Sequence, residues 1–211
     1  MATLQELHNE IERWYMYMLL YAPVDGSKFN VPVPGTEHLH KQLFVLSKEL
    51  PGGSIRFENW PTGPYNPRLS CVKDCCIEVD STIRMLDGGC LQLTDKGLNA
   101  ARVVWDSEPD LIREHVIGIK EFMNDMEYRE MMFYIYSTFP ETAENSSLLD
   151  DYERHRVDVA CSLFVKEKAT LSLAASVAGM RSDDLAYILH DRGVATHVAE
   201  DIEGFVPPGA S

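Results

Sequence analysis

The 211-residue chain is short of positive charge, with 19 Lys and Arg against 33 Asp and Glu and a formal net charge of −14. A general nucleic-acid coat is basic, so this balance excludes that class. No run of 18 apolar residues is present, so no segment is expected to span a membrane. The stretch "WYMYMLLYAPV" is apolar for only two to three turns and reads as the buried end of an amphipathic helix. Cysteines number five, an odd count in a chain without a signal-peptide pattern, so free thiols in a reducing cytoplasm are expected. A Gly-rich phosphate loop, a nucleophile elbow, a metalloprotease helix and a C-x-x-C pair are all missing. Nothing in the spacing selects a catalytic constellation, and the chain is expected not to be an enzyme and to need no cofactor.

What is present is an ordinary globular composition, 45% hydrophobic and 25% charged. Charge is uneven along it. Residues 1–103 carry 10 basic and 12 acidic groups, 104–146 carry 3 and 10, and 147–211 carry 6 and 11. The N-terminal block is thus nearly neutral and the middle acidic.

Leu4, Leu7, Ile11, Trp14, Tyr15 and Met18 recur at helical spacing, predicting a helix over 3–22 that Pro23 ends. After a Gly- and Pro-containing loop, Thr36 is placed to cap "EHLHKQLFVLSKEL", which Pro51-Gly52-Gly53 closes. "ENWPTGPYNP" (58–67) reads as a rigid loop packing Trp60 and Tyr65 on the first two helices. A third helix follows over about 68–79. "IRML" and "CLQLT" flank Asp87-Gly88-Gly89 as a β-hairpin, and Thr94 caps "DKGLNAARVVW". Three helices, a hairpin and a helix are the order of a winged helix, with the third helix as its usual groove-facing element.

Two further helices are predicted over 107–146. On the first, Asp110, Glu114 and Glu121 make a solvated face opposite Leu111, Val116, Ile119 and Phe122. The polar stretch 141–150 is the expected domain boundary. The fold class is therefore mainly α with a small β-hairpin: a winged helix over 1–106, a helical connector over 107–146, a helix-turn-helix over 147–204, and a fraying tail over 205–211.

Cys71, Cys75 and Cys76 fall in the third helix and Cys90 on the hairpin. Cys75 and Cys76 point about 100° apart on a helix, so small apolar packing is the expectation for most of them; a metal or ligand sensor is the weaker alternative. His38 and His40 cannot share a helix face, and an exposed stripe of His38 and Lys41, with a surface or interface histidine, is expected.

"AASVAGMRSDDLAYIL" (174–189) outlines two short helices about a turn. Gly179 suits a positive φ there, the alanines permit a close helix crossing, and Leu173 is expected to face the core beside Val177. Ser182 is expected to cap the second helix, with Asp183 and Asp184 in its first turn suiting the macrodipole. The same aspartates stand where a DNA reader meets base edges and phosphates. Phosphate anchoring would then rest on Arg154, Arg156, Lys166, Lys168, Arg181 and Arg192.

Two resemblances bear on these segments. "HLHKQLFVLSKEL", "RFENWPTGPYNPRLS" and "CLQLTDKGLNAA", with "YIYSTFPE", resemble the YwgA-like prokaryotic proteins over roughly 36–146. The matching residues are His40, Lys41 and Phe44; Gly63, Pro64 and Tyr65, with Asn66 for the usual Ser; and Leu93, Thr94 and Gly97. These serve a fold and carry no chemistry. Residues 152–203 are similar to a small prokaryotic family of helix-turn-helix antitoxins, through Leu171, Ser172, Leu173, Ala175, Ala178, Gly179, Met180, Leu185, Leu189, Gly193 and Val194. That resemblance implies a cytoplasmic DNA-binding transcriptional regulator, the antitoxin of a toxin–antitoxin pair. It would be a homodimer on double-stranded DNA with a toxin protein as partner. The contacts implied are Arg154, Arg156, Lys166, Arg181, Ser182, Tyr187 and Arg192, with Arg68 and Lys73 of the third helix as a second set. The alternative of another class is a protein–protein interaction module in which both folds dock a partner without DNA.

Overall fold

The computed structural model describes residues 4–26, 28–50 and 55–194, with backbone alone for 4–10. The expected stop at Pro51–Gly53, the end of the antitoxin-like match and the tail over 205–211 lie outside the described residues. Those described are mainly helical, with nine α-helices and a small antiparallel hairpin. They fall into two compact units, Met1–Glu58 with Pro64–Asp125, and Asn59–Gly63 with Met126–Ser211. The division passes between 125 and 126, so the segment expected as a connector is shared between the units.

In the first unit, α1 (Leu4–Tyr21) is the central helix. Tyr15 to Ala22 are buried without a break, because α2 (Thr36–Glu49), α3 (Pro67–Glu78), α4 (Asp95–Ser107) and α5 (Asp110–Met123) all pack against it. That enclosure explains an apolar run with no polar face. Asn66 caps α3 by accepting from the Leu69 N–H at 3.0 Å, and Pro67 stands at the first helical position, where its missing N–H costs nothing. Gly35, and not Thr36, is the residue before α2, and it makes no side-chain cap.

Strands β3 (Ile83–Met85) and β4 (Leu91–Leu93) pair antiparallel, Ile83 with Leu93, around a turn at Asp87–Gly89. Val33 bridges Leu91 in both directions, so the segment between α1 and α2 runs beside β4. Asn30 continues that contact. Its side-chain amide gives to the Leu93 carbonyl and accepts the Leu93 N–H at 3.1 and 3.0 Å, imitating a ladder pair. Thr94 caps α4 as expected, accepting from Gly97 N–H at 3.2 Å. A Cβ at Gly97 would lie 1.9 Å from the Thr82 carbonyl oxygen, so this glycine permits a close backbone approach.

Segment 58–67 is more regular than expected, with the short strands β1 (Glu58–Trp60) and β2 (Gly63–Tyr65). Tyr65 does stack on α2, over the His40 ring at 4.5 Å, but Trp60 is 40% exposed. On α5 the apolar stripe starts a turn later than expected. Val116, Ile119 and Phe122 are buried, Leu111 is exposed, and Lys120 is enclosed with them.

In the second unit α6 (Tyr128–Thr138) is the enclosed helix, with Glu130 to Tyr136 all buried, and α7 (Leu149–Val165) and α8 (Leu171–Ala178) pack on it. A reciprocal capping box of Glu127 and Glu130 opens α6. Thr170 caps α8 from the Leu173 N–H at 3.2 Å, and α9 (Ser182–Asp191) packs on α8 through Leu185 and Leu189.

Candidate interaction surfaces

The turn between α8 and α9 forms as the sequence suggests. Gly179 takes φ 67° and ψ 36°, and the Met180 N–H returns to the Ala175 carbonyl at 3.0 Å, closing α8 in a Schellman-type turn. Val177 is buried, whereas Leu173 is only half-buried. Arg181, not Ser182, is the residue before α9; Ser182 is its first residue and makes no side-chain cap. Asp183 and Asp184 occupy the first turn, where negative charge meets the positive end of the macrodipole. The outer face of α9 shows Asp183, Asp184, Tyr187, His190 and Asp191, with Tyr187 74% exposed.

The basic residues proposed for phosphate are already engaged. Arg181 pairs with Asp183 at 2.9 Å, two residues away on the same surface. Arg192 pairs with Asp158 at 2.7 Å, and Lys166 with buried Glu130 at 2.7 Å. Burial alone would raise the Glu130 carboxyl. The hydrogen bonds from Lys166, Ser162 and the Glu127 N–H, with the Lys166 charge, bring it below the usual carboxylate range. Arg154 donates to the Asp150 carbonyl at 3.0 Å, and Lys168 has its own partner.

Arg156 is a structural residue. Its Nε donates to the Val177 carbonyl at 3.1 Å, its guanidinium lies 5.0 Å over the Tyr152 ring, and Glu153 stands 3.5 Å from Nη1. The Tyr152 hydroxyl reaches the same Val177 carbonyl at 3.4 Å. A Cβ at Gly179 would lie 1.9 Å from Arg156 Nη2, so the guanidinium fills the space the glycine leaves. The residue thus satisfies a terminal carbonyl of α8 from α7.

In the first unit, α3 turns Pro67, Cys71, Asp74, Glu78 and Val79 outward. Lys73, expected as a phosphate contact, is buried and pairs with Asp74, because its place in the helix faces the interior beside Leu69 and Cys76. Arg68 is half-buried beside Glu12 of α1, 3.6 Å away. The outward face of α3 is therefore made of thiol, carboxylate and aliphatic groups.

Behind α3 lies a polar network that the sequence did not disclose. His40 and Lys41, expected on the surface, are both fully enclosed. Lys41 Nζ donates to the Pro64 carbonyl at 2.9 Å and meets Glu37 at 3.3 Å. His40 Nδ1 accepts the Asn66 N–H at 3.3 Å, which leaves Nε2 as the protonated nitrogen donating to Ser70 Oγ at 3.0 Å. The Tyr65 hydroxyl is 2.7 Å from the same Ser70 oxygen. Burial, then the charges of Lys41 and Lys73, push His40 down to about 3, so it is neutral. A donating Nε2 cannot act as a base toward Ser70, so this serine is not an activated nucleophile. The Gly63-Pro64-Tyr65 corner and Asn66 pin this segment to α2 and α3: Pro64 offers a carbonyl, Tyr65 a ring and Asn66 a cap.

Cys71 is exposed, Cys75 and Cys90 half-buried, Cys76 and Cys161 buried. Among the described residues no group of three or more His, Cys, Asp or Glu side chains is placed to hold a metal ion, and no helix is long and apolar enough to cross a membrane.

No family model, curated protein or solved structure matches this chain.

Proposed function

We propose that the chain is a protein-interaction module that works without DNA, and that in the terms of its antitoxin-like segment it is the partner-binding half of a toxin–antitoxin pair. One observation carries this. On both helices that would read a groove the outward carboxylates outnumber any cation, with Asp74 and Glu78 on α3 and Asp183, Asp184 and Asp191 on α9. Their basic neighbours are ion-paired or buried. A phosphate contact by Arg181 or Arg192 first has to break a carboxylate pair and then hold phosphate beside that carboxylate. A basic partner protein meets the opposite situation, and the exposed Tyr187 ring gives it a cation–π and stacking surface.

A second reading, a cytoplasmic homodimeric DNA-binding regulator, is favoured by shape. The order α1-α2-α3-β3-β4-α4, with Val33 bridged to Leu91, supports a winged-helix arrangement of the first unit, and the Gly179 turn supports a helix-turn-helix in the second.

A photo-crosslinking amino acid at position 187 separates the two. Irradiation in cells is expected to give a discrete protein adduct that resists nuclease, reduced by Asp183→Asn with Asp184→Asn. A nuclease-sensitive adduct, with duplex binding in vitro that weakens with salt and on Arg181→Ala, would establish the DNA reading instead.

A further inference from the structure

Two lysines are fully enclosed in the first unit, and they differ in one respect. Lys41 has Glu37 beside it. Lys120 Nζ is met by two backbone carbonyls, Leu20 at 3.0 Å and Ala22 at 2.9 Å, the last turn of α1 and the residue after it. These are carbonyls that a helix end leaves without intrahelical partners. Four residues on, Asn124 Nδ2 donates to the Pro32 carbonyl at 3.0 Å and is itself held by Gln42 Nε2 at 3.3 Å. The end of α5 therefore grips both ends of the segment 20–32. That segment carries Asn30 and leads into Val33, the two residues that bond to β4.

We propose that Lys120, buried against the Leu20 and Ala22 carbonyls, is a pH-responsive clamp, which tightens the 20–33 segment and its pairing with the hairpin when its ammonium loses its charge. A fully buried ammonium that meets two carbonyls and, among the described residues, no carboxylate carries a large desolvation cost, whereas the neutral amine keeps two N–H donors for the same two carbonyls. Burial pushes Lys120 down to about 7 and is the whole of the cause. The charged and titratable groups on the elements packed against it contribute nothing to that shift. Among the described side chains they are Glu12, Arg13, Tyr15, Tyr17 and Tyr21 of α1, and Glu37, His38, His40, Lys41, Lys48 and Glu49 of α2. The same holds for Asp110, Arg113, Glu114, His115 and Glu121 of α5 itself. The folded form binds fewer protons than the opened form between about 7 and the ordinary lysine value of 10.5, so the closed state gains as pH rises through that window and loses as it falls. Glu49, pushed up to about 7 by burial, works in the opposite sense and only below that window. Buried Cys76 and Tyr15, raised by burial, oppose the gain above about pH 9. The useful range is therefore about pH 7.5 to 8.5.

The test uses the full chain with 13C-labelled lysine side chains. One lysine Cε signal is expected to titrate near pH 7, and it should vanish in Lys120→Met. Hydrogen exchange at Val33, Leu91 and Leu93, corrected for the intrinsic pH dependence, should show the opening constant falling about tenfold per pH unit between 7.5 and 8.5 in the native chain and staying flat in Lys120→Met. Lysine signals that all titrate above pH 9.5, or corrected exchange in the native chain that does not change with pH, would overturn the proposal. Should Lys120→Met not fold, the native-chain titration and exchange decide alone.

Discussion

Replacing Gly179 tests whether the α8–α9 turn is held by a guanidinium. Two separate penalties are expected from Gly179→Ala. A non-glycine residue at φ 67° costs about 1 kcal/mol. The new Cβ also falls on Arg156 Nη2, so the guanidinium must leave, losing its charge-assisted bond to the Val177 carbonyl, worth about 1.5–2 kcal/mol, and part of its contact with Tyr152. The sum is about 3 kcal/mol. Arg156→Ala alone should cost about 2 kcal/mol, from the same bond and contact. The double variant should then cost about 3 kcal/mol and not 5, because the alanine at 179 has nothing left to displace. Gly179→Asn adds discrimination. Asparagine tolerates the left-handed region, so if backbone strain were the whole effect it would recover most of the loss; with the guanidinium displaced as well it should recover only about 1 of the roughly 3 kcal/mol and leave about 2. Native-state hydrogen exchange at the α8 amides measures the opening free energy of the second unit without involving the first. Additive single and double effects, within about 0.5 kcal/mol, would refute the placement of Arg156 and return it to the set of residues available to a partner.

Two other outcomes follow from the first unit. His40 should remain neutral with its proton on Nε2 down to about pH 4, visible in its ring 15N shifts. Because its folded value lies below the ordinary one, the stability it contributes is present above about pH 6.5 and is lost as pH falls toward 3. Titration near 6.5 would mean that the ring is not enclosed. Gly97→Ala should destabilise the unit by at least about 3 kcal/mol in urea unfolding, since the methyl meets a backbone oxygen that cannot turn away. A loss below about 1 kcal/mol would show that Thr82 and α4 are not in that contact.

Local features of this fold were legible and long-range polar ones were not. Gly179, the Thr94 cap and the hairpin around Asp87–Gly89 each depend on residues within a few positions of each other, and each formed where the sequence placed it. Two caps missed by one residue, Gly35 for Thr36 and Arg181 for Ser182; at the first, glycine serves as an N-cap about as well as threonine. Lys41 and Lys73 read as surface residues because lysine almost never sits inside without a partner, and no sequence pattern singled out Lys120. For Lys41 and Lys120 the partners include carbonyl oxygens of Pro64, Leu20 and Ala22, and a carbonyl has no signature in the sequence. Leu111 erred the other way: helical spacing placed it on the stripe, but the packing of α5 begins a turn later.

The aspartates of α9 bear on function more directly than the turn that presents them. A helix N-terminus with unspent N–H groups is a ready anion site, and a groove reader brings that end to the DNA. Here the first turn supplies its own anions in Asp183 and Asp184, and Arg181, the cation at the mouth of the turn, is tied to Asp183. Each of these contacts stabilises the helix start, and each removes something phosphate would need. Neutralising both aspartates would therefore do two things at once. It would weaken α9 through the lost dipole interaction, by about 0.3–1 kcal/mol for each aspartate, and it would free Arg181 and the helix end for an anion. If Asp183→Asn with Asp184→Asn creates duplex binding at low salt where the native chain has none, the acidic turn is what keeps a DNA-shaped element off DNA. If the native chain already binds duplex and the change leaves its affinity unaltered, α9 does not face the DNA and charge on this helix says nothing about its partner.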